Sequence, residues 1–124
     1  MTSGTSRYRC LQTVEGLTHF AVVELTAEPV EDESVVVAAY TPCWQGWADA
    51  CSAGIAYALA RVPGRWKITV HEILGVAVDT TPTTVGYAAI RATYEATGHT
   101  IPDDETARLE AFVFGGGSPG FDAT

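Results

Sequence analysis

Three histidines, three cysteines and a C-terminal glycine run are the residues in this chain from which chemistry could be built. His19 and His71 fall toward the same end of a predicted sheet, with Glu15 and Glu72 close by in sequence. Imidazole and carboxylate groups gathered in this way can hold a divalent metal or pass a proton. Their spacing matches no metal motif, so His19, His71 and Glu72 read as a polar cluster with no metal or cofactor expected. His99, just after the helix-stopping Gly98, reads as a residue answering a helix dipole. Cys10, Cys43 and Cys51 form neither a C-x-x-C pair nor an even disulfide framework, and read as free thiols. Cys43 and Cys51 are eight apart in a predicted helix, two turns from one another and too far to bond. Cys51 reads as a small core hydrophobe. The run from Gly115 to Gly120 lacks the G-x-x-x-x-G-K-[ST] phosphate-loop pattern, and no helix follows it. No serine or cysteine nucleophile has an evident partner, so no catalytic residue is assigned and an enzyme is not expected.

Composition narrows the function classes. The 124 residues suit one domain with a single core. With 47% hydrophobic and 18% charged residues, the chain reads as globular. Seven basic against fifteen acidic side chains give a formal charge of −8, which repels a phosphate backbone and argues against nonspecific nucleic-acid binding. No apolar run approaches the roughly 20 residues of a membrane helix, and residues 1–6 lack the basic start and apolar centre of a secretory signal. The expected location is the cytoplasm.

Periodicity supplies the elements. Arg7 to Thr13, His19 to Glu28, Ser34 to Tyr40 and Trp66 to Ile73 read as strands, with Glu31, Asp32 and Glu33 in a solvated turn. Phe20, Val22 and Leu25 interleave with Ala21, Val23 and Glu24, so burial on both strand faces is open. Pro42 opens a helix carrying Trp44, Trp47, Ala48, Cys51, Ile55, Ala58 and Leu59 at spacings of three and four. Gly54 interrupts that stripe, which suggests a close backbone approach. Asp79, Thr80, Thr81 and Pro82 form a capping segment for a second helix, with Val85, Ala89, Ala92 and Ala96 on one side. The last stretch reads as a short acidic helix from Asp103, an apolar strand from Ala111 to Phe114, and ten flexible residues. The order strand, strand, strand, helix, strand, helix predicts an α+β two-layer sandwich with helices near 43–61 and 82–97 on one sheet face.

Several segments resemble the fourth domain of translation elongation factor G and of the tetracycline-resistance ribosomal protection factors. Lys67-Ile68-Thr69-Val70-His71-Glu72, followed by Val78-Asp79-Thr80-Thr81, is similar to the family's KVTLYDGSYHDVDSS. Gln12-Thr13, a glycine-containing turn, Phe20-Ala21-Val22-Val23-Glu24-Leu25 and Glu28-Pro29 are similar to QTGGRGQFAHVVLEVEP. Ala53-Gly54-Ile55 with Ala58-Leu59 sits where the family has KGIQEAL. The resemblance implies a domain over residues 5–100, a C-terminal extension over 101–124, and a left-handed crossover between the third and fourth strands, against the usual rule.

In that family two loops at the tip of the domain enter the ribosomal decoding site. Here the first loop, Val14 to Thr18, has lost a glycine and the arginine and has gained Glu15. The family's tip histidine falls on Val76 and its aspartate on Ala77. Glu15, Gly16, Leu17, Ile73, Leu74 and Val76 therefore read as a partly apolar tip suited to a protein interface. The expected function is that of a stand-alone, non-catalytic module working through protein–protein association, with a protein partner or a second copy of the chain. A ribosome- or tRNA-associated translation factor is the alternative. A small-ligand binder or enzyme using the His19/His71 sheet end is the third reading.

Overall fold

The computed structural model describes residues 3–114. The flexible C-terminal run expected from sequence lies outside the described residues.

Alternation along the strands sets the sheet. Ala21, Val23, Leu25 and Ala27 of β2 (Leu17–Pro29) are fully buried on one face, which is what a period of two requires of a strand covered by helices. β2 pairs antiparallel with β1 (Gly4–Val14) on one side and with β4 (Trp66–Leu74) on the other. β3 (Val35–Ala38) runs parallel to β4 at the far edge, giving the order β1-β2-β4-β3. The parallel pair requires a crossover, supplied by α1 (Gln45–Leu59). Val22 is also buried, on the opposite sheet face, where Arg9 and Leu74 are its cross-strand neighbours.

The result is the expected α+β arrangement, with a four-stranded mixed sheet covered on one face by helices. Trp66, at the start of β4, has no exposed surface, and its indole Nε1 donates to the Pro63 carbonyl at 2.9 Å. A buried indole keeps its polar edge satisfied in this way.

α2 (Pro82–Ala96) begins where the capping segment predicts. Pro82 takes the first helical position, and the Thr81 hydroxyl accepts the Thr84 amide at 3.2 Å. It ends in a Schellman motif: Gly98, at φ +76°, and His99 return their amides to the carbonyls of Glu95 and Tyr94. α1 starts at Gln45, later than expected from Pro42, and has no side-chain N-cap. The two helices cross at glycine. A Cβ on Gly54 would lie 2.4 Å from the Gly86 carbonyl oxygen, so only hydrogen fits.

The tail departs from expectation. Residues 111–114 are not a strand but the end of a single helix, α3 (Asp103–Phe114). Its buried residues, Leu109 and Val113, are four apart, which is one helical face; the short apolar run Ala111 to Phe114 resembled a strand because length alone cannot separate the two. With α3 in place, twelve of the fifteen residues of α2 are buried.

Candidate functional site

Two segments meet at the sheet end where β1 turns into β2 and β4 leads into α2. In the first, Val14 pairs with Leu17, leaving Glu15 and Gly16 as a two-residue turn at φ +51° and +82°. Positive φ at both central positions is the type I′ hairpin, whose twist matches that of its strands. Gly16 adopts this conformation freely, whereas Glu15 bears some strain.

The second segment, residues 75–80, is fastened to β2 by a compact set of bonds. The buried Thr80 hydroxyl accepts the Val76 amide at 2.8 Å and donates to the Phe20 carbonyl at 2.6 Å. The Phe20 amide in turn donates to the Asp79 carbonyl at 2.9 Å. Gly75 closes the site: a Cβ there would lie 2.6 Å from the Thr80 methyl and 2.8 Å from the Trp47 ring. Trp47 stacks edge-on with Trp44, ring centroids 6.3 Å apart, which brings the start of α1 to this end as well.

This loop is held in shape while its apolar side chains face water. Val78 is 92% exposed, Leu17 67% and Trp44 61%. Val76 and Leu74 are also exposed, Leu74 from the last position of β4. Ile73 is different. It is buried in the core, paired with Val23 on the helix-bearing face because the bulge at His71 shifts the alternation by one; its reading as a tip-contact residue is corrected by that shift. Val78 and Trp44 were missed from sequence. A valine inside a capping segment and a tryptophan on an apolar helical stripe both look like packing residues.

His19, His71 and Glu72 do not form the expected cluster. His19 shares the helix-bearing face with Ala21 and Val23, and its ring lies edge-on to Phe114 at 5.1 Å. His71 is the extra residue of a β-bulge: Glu24 pairs with Glu72 while Leu25 pairs with Val70. It projects on the open sheet face, where Nε2 lies 2.8 Å from the Thr26 hydroxyl. Seven residues separate His19 from Thr26 along β2, a span of about 23 Å. Glu72 is bound to Arg7, which also bonds Glu24 at 3.1 Å. These two carboxylates, Glu72 foremost, raise the Arg7 pKa. Alternation from Val70 already turns His71 to the open face, and strand register sets its distance from His19; the bulge acts on the residues after it, turning Glu72 outward and Ile73 inward.

The thiols are tuned away from reactivity. Burial pushes Cys10 up to about 11 and Cys51 up to about 12, and also raises Cys43. A nucleophilic cysteine requires the opposite shift. Cys43 precedes α1 and does not lie within it, so its helical spacing from Cys51 does not apply. Among the described residues no group of three or more His, Cys, Asp or Glu side chains is placed to hold a metal.

At the opposite end, two shallow clefts of about 360 and 320 Å³ adjoin His99. Tyr94, which lines both, and Arg61, which lines the larger, are tied to Glu105 of α3. Tyr94 donates to Glu105 at 3.0 Å, Arg108 donates to the Tyr57 hydroxyl at 3.0 Å, and the Arg61 guanidinium lies 3.5 Å over the Tyr57 ring. His99 sits just past the end of α2, with its ring Nδ1 buried and without a hydrogen-bond partner among the described residues.

No protein-family model matches the chain, and no curated protein matches it. Its fold is similar to that of ttk003000868 from Thermus thermophilus, a crystal structure matched with a TM-score of 0.68 at 19% identity over 80% of this chain. The match spans 16% of that protein's length. Mevalonate kinase from methicillin-resistant Staphylococcus aureus matches with a TM-score of 0.47 at 11% identity, over 97% of this chain and 48% of the kinase. Among the described residues no helix is long and apolar enough to cross a membrane.

Proposed function

We propose that this chain is a non-catalytic association module, built like the fourth domain of elongation factor G, that docks a protein partner through residues 14–18 and 75–80. The observation that carries this reading is Val78, 92% exposed on a loop fixed by Thr80 and Phe20. An apolar side chain covered by a partner gains roughly 25 cal/mol per Å². A flexible loop would lose part of that gain to ordering; this one begins ordered.

A ribosome or tRNA partner is the second reading, supported by the resemblance of residues 12–29 and 67–81 to that family. The chain's charge of −8 and the acidic Glu15 at the tip oppose it. The enzymatic reading through His19 and His71 loses its basis with their separation onto opposite faces.

A photoreactive side chain at position 78, introduced in the native host, tests the proposal. Discrete protein adducts are expected at position 78 and none at Lys67 on the sheet. Adducts confined to ribosomal RNA would transfer the assignment to the ribosomal reading. Illumination that leaves position 78 without any adduct would remove the tip as an interface.

A further inference from the structure

The geometry points to the chemistry of the tip's partner: a basic protein segment that lays an arginine or lysine side chain against the Trp44 ring and apolar side chains against Leu17, Val76 and Val78, all four of them exposed. This inference rests on the docking proposed above and deepens it.

Charge is divided unevenly over the chain. All seven Lys and Arg side chains lie outside residues 10–20, 39–50 and 73–82, the segments that meet at the tip, whereas Glu15, Asp49 and Asp79 lie within them. Asp49 accepts the Gln45 side-chain amide at 2.7 Å, a neutral donor that leaves its charge in place. The ion pairs seen among the described residues are made elsewhere, by Arg7, Arg61 and Arg108. Arg9 approaches on the open sheet face, 6.0 Å from the centroid of the Phe20 ring, and so lies across the sheet from α1 and Trp44. The N-termini of α1 and α2 also point to this end, each with about half a positive charge. Three carboxylates exceed the sum of the two, and the tip stays negative.

Trp44 supplies the second requirement. It is 61% exposed and stands at 86° to Trp47, whose ring lies against Gly75. Trp47 thereby fixes an open aromatic ring beside the loop. The faces of such rings attract cations, with tryptophan the strongest of them and arginine a more frequent guest than lysine.

The two features together select the occupant. A purely apolar partner would cover the valines and leave the carboxylates unanswered. A nucleic acid could stack on Trp44, but its phosphates would meet the carboxylates. A second copy of this chain brings the same sign of charge, at −8. A basic segment answers the ring, the carboxylates and the valines at once.

The probe is a short peptide alternating leucine and arginine, set against the same peptide with citrulline, which keeps the shape of arginine without its charge. Calorimetry with the full chain, at about 20 and about 150 mM NaCl, reads the binding. The arginine peptide should bind at least about tenfold more tightly at the lower salt and lose affinity as salt rises. Trp44→Leu should weaken binding about two- to fivefold, and Trp44→Phe should restore part of the loss. Glu15→Gln with Asp79→Asn should weaken binding and flatten its salt dependence. Neutralising Glu31, Asp32 and Glu33, beyond the far end of β2, should do neither. Circular dichroism checks each fold, and the citrulline comparison needs no variant. Equal affinity for the two peptides would overturn the inference, as would an equal loss from both sets of neutralised carboxylates. Either result leaves docking itself standing, since adducts at position 78 read that separately. Adducts there that map to a partner segment without Lys or Arg would overturn the basic partner alone, and no adduct at all would remove docking and this inference with it.

Discussion

The two ends of α2 handle their side chains in opposite ways. Toward its C-terminus the helix is enclosed by the sheet, α1 and α3, and the polar groups of its threonines and tyrosines find partners. Thr93 bonds the Ala89 carbonyl at 2.7 Å, Thr97 the Thr93 carbonyl at 2.8 Å, and Tyr94 the Glu105 carboxylate at 3.0 Å. Before its N-terminus, the Thr80 hydroxyl and the Asp79 carbonyl bond the loop to Phe20, yet Val76 and Val78 are left in water. One end is organised around burial. The other uses a well-bonded frame to hold apolar groups outward, which is the arrangement of a surface meant to be covered.

The largest expected effect is at the helix crossing. Gly54→Val places a Cβ against the Gly86 carbonyl oxygen, and neither backbone can yield without separating α1 from α2. Stability should fall by about 3 kcal/mol or more, read by urea denaturation. Leu109→Ala comes next, at about 2 to 5 kcal/mol, if α3 belongs to the core as its 5% exposure indicates. A change below about 0.5 kcal/mol would make α3 an appendage and erase the contrast between the two ends.

Thr80→Val sharpens the comparison from the loop side. It leaves the Val76 amide and the Phe20 carbonyl without their hydroxyl partner, for a loss of about 1 to 3 kcal/mol, with faster amide exchange over residues 75–80. The pH response belongs to the core. The buried Cys10 and Cys51 thiols have folded-state values of about 11 and about 12, raised from the ordinary 9.0 by burial. Below pH 9 both states hold the thiol protons and the contribution is intact. Above it the unfolded chain releases them first, so stability declines as pH rises through 9 toward 12. Cys51→Ala should flatten that decline in denaturation curves recorded from pH 8 to pH 11.

Much of this fold could be read from the chain because its local signals agree with one another. The alternation in residues 19–28, the Thr81-Pro82 cap and the Gly98 stop each specify one structure, and β2, β4 and α2 appear within two residues of their expected bounds. Gly54 signalled the close helix crossing. Residues 111–114 misled, since four apolar residues suit a strand or a helix, and only packing on α2 decides between them. The site was less legible. The bulge at His71 turns Glu72 outward and Ile73 inward, and a bulge is not visible before the strands are paired. Leu17 and Val76 were recognisable at the tip, but the exposure of Val78 depends on the Thr80 bonds that fix its loop.

Leu17→Asp with Val78→Asp tests the central claim most directly. Both residues are exposed, so stability should change by no more than about 0.5 kcal/mol. Affinity capture from the native host, with the wild-type chain and the double variant in parallel, gives the decisive measurement. The expected result is that a protein retained by the wild type is lost from the variant while circular dichroism and the denaturation midpoint stay the same. A folded variant that retains every captured protein would contradict docking through the tip.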